Sequence, residues 1–327
     1  MVAPVVALAI DWGDPTLAAA DAALEAAEAA RPARGYIGMS GIGDCTRKSY
    51  YRFYAVGSRP FAAKTLKNFA DGHRTEDLVI QRLRAVDGLT IVDRDPETGR
   101  QIEVSDHRGH FLGHLDGEVF GLINSPKTPH VLECKSVSER VFNEFQKLKA
   151  KHGEKATLRE WNETYFAQAQ LYMMYRGRTR HWLVCATAGG RDWDSCRTEF
   201  DREAAEYYSA RAADIINAPD RLPARIGETR DYYKCRWCEF SEICWASAAP
   251  ARNCRTCVWS APADNGGWQC RRHDKLLTGS EQVAGCGDQR YRPALVDGEV
   301  TAVDDAANAI SYALADGSAW VDGGADV

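Results

Sequence analysis

The sequence predicts an α/β fold in which a central mixed sheet is flanked by helices. Two observations support this prediction. Strand-like alternation and helix-like spacing of apolar residues follow one another through the middle of the chain. In addition, 45% of the 327 residues are hydrophobic, which is enough for one substantial core and a small satellite.

The predicted elements have a definite order along the chain. An alanine-rich helix with acidic residues is expected at 15–31, and a second helix at 64–85. Strands are predicted at 89–93, 101–106, 110–120, 131–136 and 181–188, and later helices at 138–150, 157–175 and 201–217.

Composition divides the chain into four parts. These are an acidic, Ala-rich N-terminal helix (1–35), a main domain (36–248), a Cys-rich metal-binding module (249–293) and an acidic C-terminal tail (294–327). Because the tail is acidic and low in aromatic residues, we expect a mobile appendage or a short helix around Asp304 to Leu314.

The charge is unevenly distributed. The overall net charge of −5 is unusual for a protein that binds nucleic acid, but residues 1–30 hold five acids and residues 294–327 hold seven, with no Lys or Arg in either segment. Setting those twelve acids aside leaves +7 for residues 31–293. Basic residues there are candidates for phosphate contacts or simply for a solvated face: Arg47, Lys48, Arg52, Lys147, Lys149, Lys151, Lys155 and Arg159. Aromatic residues that could stack on bases or pack in the core are Tyr50, Tyr51, Trp161 and Tyr165.

Acidic residues near the predicted strands form a candidate catalytic site. In VLECKS, alternation places Glu133 and Lys135 on one face of a strand and Cys134 on the other. HFLGHLDGEVF is predicted to form a strand pair or a strand with a turn at Gly117, so Asp116 can meet Glu133 from a neighbouring strand. Two carboxylates suit a hard cation such as Mg²⁺ or Mn²⁺, and a lysine can orient a water molecule or stabilise negative charge.

Eleven cysteines without a secretion signal indicate metal ligation in a reducing compartment. The N-terminal run MVAPVVALAI has no basic lead and is followed by Asp11 and Asp14, so we expect neither a signal peptide nor a membrane span, and a cytoplasmic protein. Three cysteines occur singly in apolar stretches and are expected in the core: Cys134, Cys185 and Cys196.

The other cysteines fall into two groups. Three of them lie within ten residues of one another and would need a fourth metal ligand from elsewhere in the chain: Cys235, Cys238 and Cys244. The second group forms a candidate Zn²⁺ site or, alternatively, a second cluster or a set of free thiols: Cys254, Cys257, Cys270 and Cys286. His273, three residues after Cys270, competes with Cys286 for the fourth position.

These motifs resemble the PD-(D/E)xK nuclease superfamily, specifically its RecB-like iron–sulfur branch, which includes CRISPR-associated exonucleases and the AddB nuclease domain. The resemblance covers roughly Ser40 to Trp245 and rests on six landmarks in family order: Cys45, Gly72-x3-Glu76, Gly113-x2-Asp116, Glu133-x-Lys135, Gln168-x3-Tyr172 and Cys235-x2-Cys238-x5-Cys244. It implies a restriction-endonuclease-like core closed by an iron–sulfur staple.

The resemblance also implies roles for individual residues. Many family members have histidine at the position of Glu76, so the metal ligand from the first helix would here be a carboxylate, with His73 as the competing ligand. Gln168 and Tyr172, one helical turn apart, would lie beside the metal and help hold the DNA strand, although Tyr172 could instead pack the helix on the sheet. Cys45 would complete a [4Fe-4S] cluster with the Cys235 group.

The function implied is a divalent-metal-dependent DNA nuclease. We expect an exonuclease acting on single strands or duplex ends in recombination, repair or phage DNA processing, with a helicase, recombinase or single-strand-annealing protein as the expected kind of partner. The alternative is a catalytically silent DNA-binding or assembly subunit, which would be free to lose Asp116, Glu133 or Lys135. A nuclease that acts on RNA is a third hypothesis, for which the sequence supplies no distinguishing motif.

Overall fold

A computed structural model of the protein describes residues 13–31, 34–57, 61–246 and 248–323. The predicted features of the N-terminal run 1–10 lie outside these residues. The α-helices within the described ranges are α1 (Pro15–Ala29), α2 (Thr46–Phe53), α3 (Ala63–Leu83), α4 (Glu139–His152), α5 (Thr157–Trp161), α6 (Glu163–Arg176), α7 (Arg202–Asn217), α8 (Tyr233–Arg236), α9 (Ser241–Trp245) and α10 (Gly279–Ala284). The strands are β1 (Ile37–Gly38), β2 (Thr90–Val92), β3 (Glu103–Asp106), β4 (Phe111–His114), β5 (Gly117–Phe120), β6 (His130–Val137), β7 (Arg180–Thr187), β8 (Trp193–Glu199), β9 (Ser260–Pro262), β10 (Trp268–Cys270), β11 (Lys275–Leu277), β12 (Gly298–Asp304), β13 (Ala309–Leu314) and β14 (Ala319–Gly323).

A five-stranded mixed sheet with the order β2-β5-β6-β7-β8 lies at the centre. β6 and β7 are parallel, while the other neighbouring strands are antiparallel. The parallel pair needs a crossover connection, which α4, α5 and α6 supply. The predicted α/β class with a central mixed sheet is therefore confirmed.

The two faces of this sheet carry different apolar clusters. On one face, Val79 and Ile80 of α3 pack with Leu132 and Cys134 of β6. On the other, Val131 belongs to the larger core that contains α6 and α7. Cys134, Cys185 and Cys196 are buried, as predicted. Because side chains alternate along β6, Glu133 shares the α6 face with Val131.

Two predicted elements are interrupted in the structure. The predicted helix at 157–175 breaks at Asn162, whose side-chain oxygen accepts hydrogen bonds from the backbone N–H groups of Thr164 (2.9 Å) and Tyr165 (3.2 Å) and so begins α6. The predicted strand at 110–120 divides into β4 and β5, which belong to different sheets. The break falls at 115–116, before Gly117, so Asp116 lies in the connection.

The prediction for the tail was wrong. Residues 298–323 form a three-stranded antiparallel sheet, β12-β13-β14, instead of a mobile appendage or a helix near Asp304 to Leu314. Ile310 and Tyr312 are buried, and the Tyr312 ring stacks on Trp320 at 5.5 Å. The acidic composition was misleading because most of the tail's acidic side chains are exposed and do not oppose the sheet, while the buried Asp322 forms an ion pair with Arg252 at 2.6 Å.

The Cys-rich module packs directly on the main domain. Trp268 of β10 is fully buried, and its ring lies 5.1 Å from the ring of Phe53 and 5.8 Å from that of Tyr54. The guanidinium of Arg292, also fully buried, lies 4.9 Å from the Tyr54 ring centre. Among the helices described, none combines the length and the apolar character needed to cross a membrane.

Candidate active site and cysteine clusters

Glu133 is the most buried acidic residue of the candidate active site, with 2% of its surface exposed. Its Oε1 accepts hydrogen bonds from the Lys135 ammonium and from Nε2 of Gln168, the latter at 2.9 Å. Its Oε2 is buried and has no hydrogen-bond partner among the described residues. Burying a carboxylate oxygen without a hydrogen-bond partner costs folding free energy. This atom is therefore available to a ligand that the protein itself does not supply.

Asp116 and Glu76 approach Glu133 from two other elements. Asp116 lies between β4 and β5, and its Oδ2 accepts a 2.8 Å hydrogen bond from the backbone N–H of Cys134. Glu76 of α3 lies near Asp116, whose charge is, after burial, the largest cause of the raised pKa of Glu76. His73 Nδ1 lies 3.8 Å from Glu76 Oε2, but the His73 side chain is 82% exposed and that of Glu76 only 23%. Of the two candidate ligands on α3, Glu76 is therefore the one that points into the site.

The electrostatics of the site are those of crowded, poorly solvated carboxylates. Burial, followed by the charges of Asp116 and Glu133, raises the pKa of Glu76 to about 8. Burial and the charge of Asp116 raise the pKa of Glu133 to about 7. Burial also raises the pKa of Asp116. Although burial opposes it, the charges of Glu133 and Asp116 raise the pKa of Lys135, so the lysine stays protonated.

These shifts describe carboxylates that repel one another. Their oxygen atoms are not all within 4.8 Å of one another, so sharing one cation would require side-chain rotation. A bound cation would remove the repulsion that separates them.

Gln168 and Tyr172 of α6 hold Glu133 in place. Gln168 Nε2 lies 3.2 Å from the Tyr172 hydroxyl, which donates a 2.9 Å hydrogen bond to the backbone oxygen of His114. Both residues are buried. This chain of hydrogen bonds joins α6 to β4 and β6, so Tyr172 both packs the helix and positions the carboxylate.

The structure narrows the candidates for nucleic-acid contacts. Tyr50 and Tyr51 are buried and belong to the core. Most basic candidates have an acidic partner within the protein: Lys48 with Asp44, Arg52 with Glu239, Lys149 with Asp194, Lys155 with Glu199 and Arg159 with Asp201. No ion pair is found for Lys147 or Lys151 among the described residues.

One aromatic contact of the active site escaped the sequence prediction. The ring of Tyr165 lies 5.0 Å from the Lys135 ammonium and 5.5 Å from the ring of Trp161. Both aromatic residues are partly exposed. Because Trp161 and Tyr165 lie on separate helices, α5 and α6, the sequence did not reveal this contact, in which the two rings are tilted by 56°.

The four cysteines of the first group line one pocket, although nearly 200 positions separate Cys45 from the other three in the sequence. Cys45 directly precedes α2, Cys235 lies on α8, Cys238 follows it and Cys244 lies on α9. Basic side chains share the lining: Arg47, Lys48, Arg225 and Lys234. Arg47 Nη1 lies 3.8 Å from Cys244 Sγ. Asp44 also lines the pocket and forms ion pairs with Lys48 and Lys234, so the excess positive charge comes from Arg47 and Arg225 and suits a ligand with negative charge.

The second group of cysteines is arranged differently. Cys254, Cys257 and Cys270 are buried, whereas Cys286 is exposed. Burial raises the pKa of Cys254 to about 11, and the nearby thiols of Cys286, Cys257 and Cys270 contribute to the rise.

Cys286 also has polar neighbours. Its Sγ lies 3.9 Å from His273 Nε2, and the same Nε2 lies 3.2 Å from Asp288 Oδ2. Asp288 was missed at the sequence level because no spacing rule connects it to the cysteines. His273 and Cys286, the two candidates for the fourth ligand position, therefore lie next to each other in the structure.

Comparisons with known proteins give structural matches only. No family model matches the chain, and no curated protein matches it. An alkaline exonuclease from Laribacter hongkongensis is similar at 15% identity and a TM-score of 0.40, over 61% of this chain and 92% of that protein. The protein SSO0001 is similar at 15% identity and a TM-score of 0.39, over 72% and 99%. A phage-related exonuclease from Haemophilus somnus 129PT is similar at 12% identity and a TM-score of 0.36, over 54% and 80%.

Proposed function

We propose that this protein is a divalent-metal-dependent DNA nuclease whose active site is built from Glu76, Asp116, Glu133 and Lys135. The observation that carries the proposal is the unpartnered, buried Oε2 of Glu133, with the carboxylate of Asp116 beside it on the neighbouring connection. A solely structural carboxylate would be expected to have its oxygens satisfied by the protein.

The donor set fits a hard cation. All three acidic residues offer oxygen atoms, which Mg²⁺ and Mn²⁺ prefer, and a bound cation would relieve the mutual repulsion of their charges. When bound, such a cation supplies an activated water molecule and neutralises charge on the phosphate. Lys135 provides a protonated ammonium beside Glu133, where it can stabilise negative charge that develops during hydrolysis. Gln168 and Tyr172 fix the orientation of Glu133.

DNA, as single strands or duplex ends, is the substrate we propose, with an exonucleolytic mode. The positive charge of residues 31–293 and the unpaired Lys147 and Lys151 support phosphate binding. Tyr165 and Trp161, partly exposed beside Lys135, offer rings on which unpaired bases can stack. A helicase, recombinase or single-strand-annealing partner stays a prediction of the family resemblance.

A catalytically silent scaffold is the less favoured function. Clustered buried carboxylates destabilise a protein that has no use for them, because burial and mutual repulsion oppose ionisation. The retention of Glu76, Asp116, Glu133 and Lys135 together favours an active enzyme.

The test uses end-labelled single-stranded and double-stranded DNA incubated with the full-length protein. We expect degradation with Mg²⁺ or Mn²⁺ and none with EDTA, because carboxylates alone cannot supply the activated water molecule. Undigested DNA with every divalent metal would support the silent scaffold instead.

We further propose that Cys45, Cys235, Cys238 and Cys244 hold a [4Fe-4S] cluster. The four thiols line one pocket with basic side chains that can balance the charge of the cluster. Zn–S bonds of about 2.3 Å in tetrahedral geometry would place the sulfur atoms about 3.8 Å apart. No three of these sulfurs are mutually within 4.8 Å, so a single zinc ion would require the side chains to move. The resemblance to the iron–sulfur branch favours a cluster, in which each thiolate binds a different iron.

Replacing Cys45 with serine is expected to remove iron and to destabilise the main domain by about 5 kcal/mol, by analogy with a disulfide that closes a loop of similar length. The measurement is iron and sulfide content, visible absorption near 400 nm, and the unfolding free energy of anaerobically prepared protein. Cys286→Ser, an exposed cysteine outside the pocket, is the control for iron and sulfide content only, and should retain both. Colourless wild-type protein with zinc in this pocket would contradict the cluster.

A further inference from the structure

An exposed cluster of three metal-binding side chains lies in the Cys-rich module. His273 follows β10 in the turn before β11, whereas Cys286 and Asp288 follow α10. Their ligand atoms all lie within 4.8 Å of one another, and no other trio of His, Cys, Asp or Glu residues in the described ranges is so close. The cluster therefore joins two segments that are separate in the sequence.

Two of the three distances in this cluster are close to those around one tetrahedral zinc ion. Bonds of about 2.0 Å to nitrogen and oxygen and about 2.3 Å to sulfur imply an N···O separation of about 3.3 Å and an N···S separation of about 3.5 Å. The observed separations are 3.2 Å between His273 Nε2 and Asp288 Oδ2 and 3.9 Å between His273 Nε2 and Cys286 Sγ. Cys286 Sγ and Asp288 Oδ2 lie within 4.8 Å of each other, so side-chain adjustment at Cys286 would complete the geometry.

Neighbouring groups orient the aspartate for this role. Asp288 Oδ1 is 3.5 Å from Arg272 Nε and accepts a 3.5 Å hydrogen bond from Asn308 Nδ2. The same Asn308 amide donates to the backbone oxygen of Asp288 at 3.1 Å. These contacts occupy Oδ1, so Oδ2 is the carboxylate oxygen that faces His273. Outer contacts that hold a ligand in this way are characteristic of protein metal sites.

We propose that the module binds one Zn²⁺ through His273 Nε2, Cys286 Sγ and Asp288 Oδ2, with the fourth position open to solvent. The mixed nitrogen, sulfur and oxygen donor set suits zinc, and His273 and Cys286 are both exposed to incoming metal. The ion would cross-link the β10–β11 turn to the segment after α10. That segment leads to Tyr291 and Arg292, which anchor the module and the tail sheet.

This site is independent of the proposed nuclease function, so its test does not use DNA hydrolysis. Zinc content and zinc affinity are measured on full-length wild type, His273→Ala and Asp288→Asn, with Asp274→Asn as an exposed neighbouring control. We expect each ligand variant to lose one equivalent of zinc, or to bind it at least about 10-fold more weakly, and the control to match wild type.

A second readout does not depend on how well the variants fold. Alkylation of Cys286 in wild-type protein, followed by peptide mass spectrometry, should be slowed by added Zn²⁺ and restored by a chelator, because a zinc-bound thiolate is protected. Zinc that is retained in both ligand variants, or Zn²⁺ that leaves alkylation of Cys286 unchanged, would overturn the proposal. Loss of zinc only on replacement of Cys254 or Cys257 would also overturn it and assign the metal to the four thiols.

Discussion

Replacing Glu133 with glutamine will lower the rate of metal-dependent DNA hydrolysis by about a thousand-fold. The amide keeps the shape of the side chain but removes the negative charge from Oε2, the atom that is buried without a partner. Asp116→Asn and Lys135→Ala should cause comparable losses, because they remove the second carboxylate and the ammonium that pairs with Glu133. The measurement is the initial rate of release of labelled nucleotides with Mg²⁺.

The control for this series is Glu139→Gln, an exposed acidic residue at the start of α4, which should keep full activity. Circular dichroism and thermal unfolding exclude a folding defect. The metal-free Glu133→Gln protein is expected to unfold at the same or a higher temperature, because the substitution removes a carboxylate that burial and Asp116 disfavour. Full activity in Glu133→Gln or Lys135→Ala would remove these residues from the catalytic site.

Replacing Gly113 with alanine will destabilise the protein by about 1–3 kcal/mol and also reduce its nuclease activity. A Cβ atom at this position of β4 would lie 2.4 Å from Cε1 of Tyr172 and 2.8 Å from Sδ of Met39. Both neighbours are buried, so neither can move aside freely. Displacement of Tyr172 would break its hydrogen bonds to His114 and Gln168 and release Glu133 from its orientation.

Gly72→Ala on α3 provides a matched control of opposite sign. Nothing lies within 4 Å of its Cβ position, and alanine in a helix interior is more stable than glycine by about 0.5–1 kcal/mol. Urea unfolding of both variants measures the difference in free energy. A Gly113→Ala protein as stable as wild type, with normal activity, would show that Tyr172 does not position Glu133.

The centre of the candidate site could be predicted from the sequence because strand alternation is a strong local rule. It placed Glu133 and Lys135 on one face of β6 and Cys134 on the other, as the structure has them. The spacing of Gln168 and Tyr172 similarly predicted one face of a helix, and the two side chains are hydrogen-bonded there. These relations depend on backbone geometry alone.

Other features depend on contacts between distant segments and could not be predicted in this way. Asn162 ends one helix and begins the next through its own side chain, in a stretch whose apolar pattern appeared continuous. The buried Asp322 of the tail sheet forms an ion pair with Arg252, 70 positions earlier, and composition cannot indicate such a contact. Asp288 joins His273 and Cys286 only after the module has folded.

We propose that Glu133 and its neighbours form a binding site for a hard cation. Calorimetric titration of Mn²⁺ into full-length wild type and Glu133→Gln tests this most directly. Mn²⁺ favours the carboxylates over the thiol sites. We expect saturable binding to wild type and an affinity at least about 10-fold lower in Glu133→Gln. Equal affinities, or no binding to either protein, would contradict it.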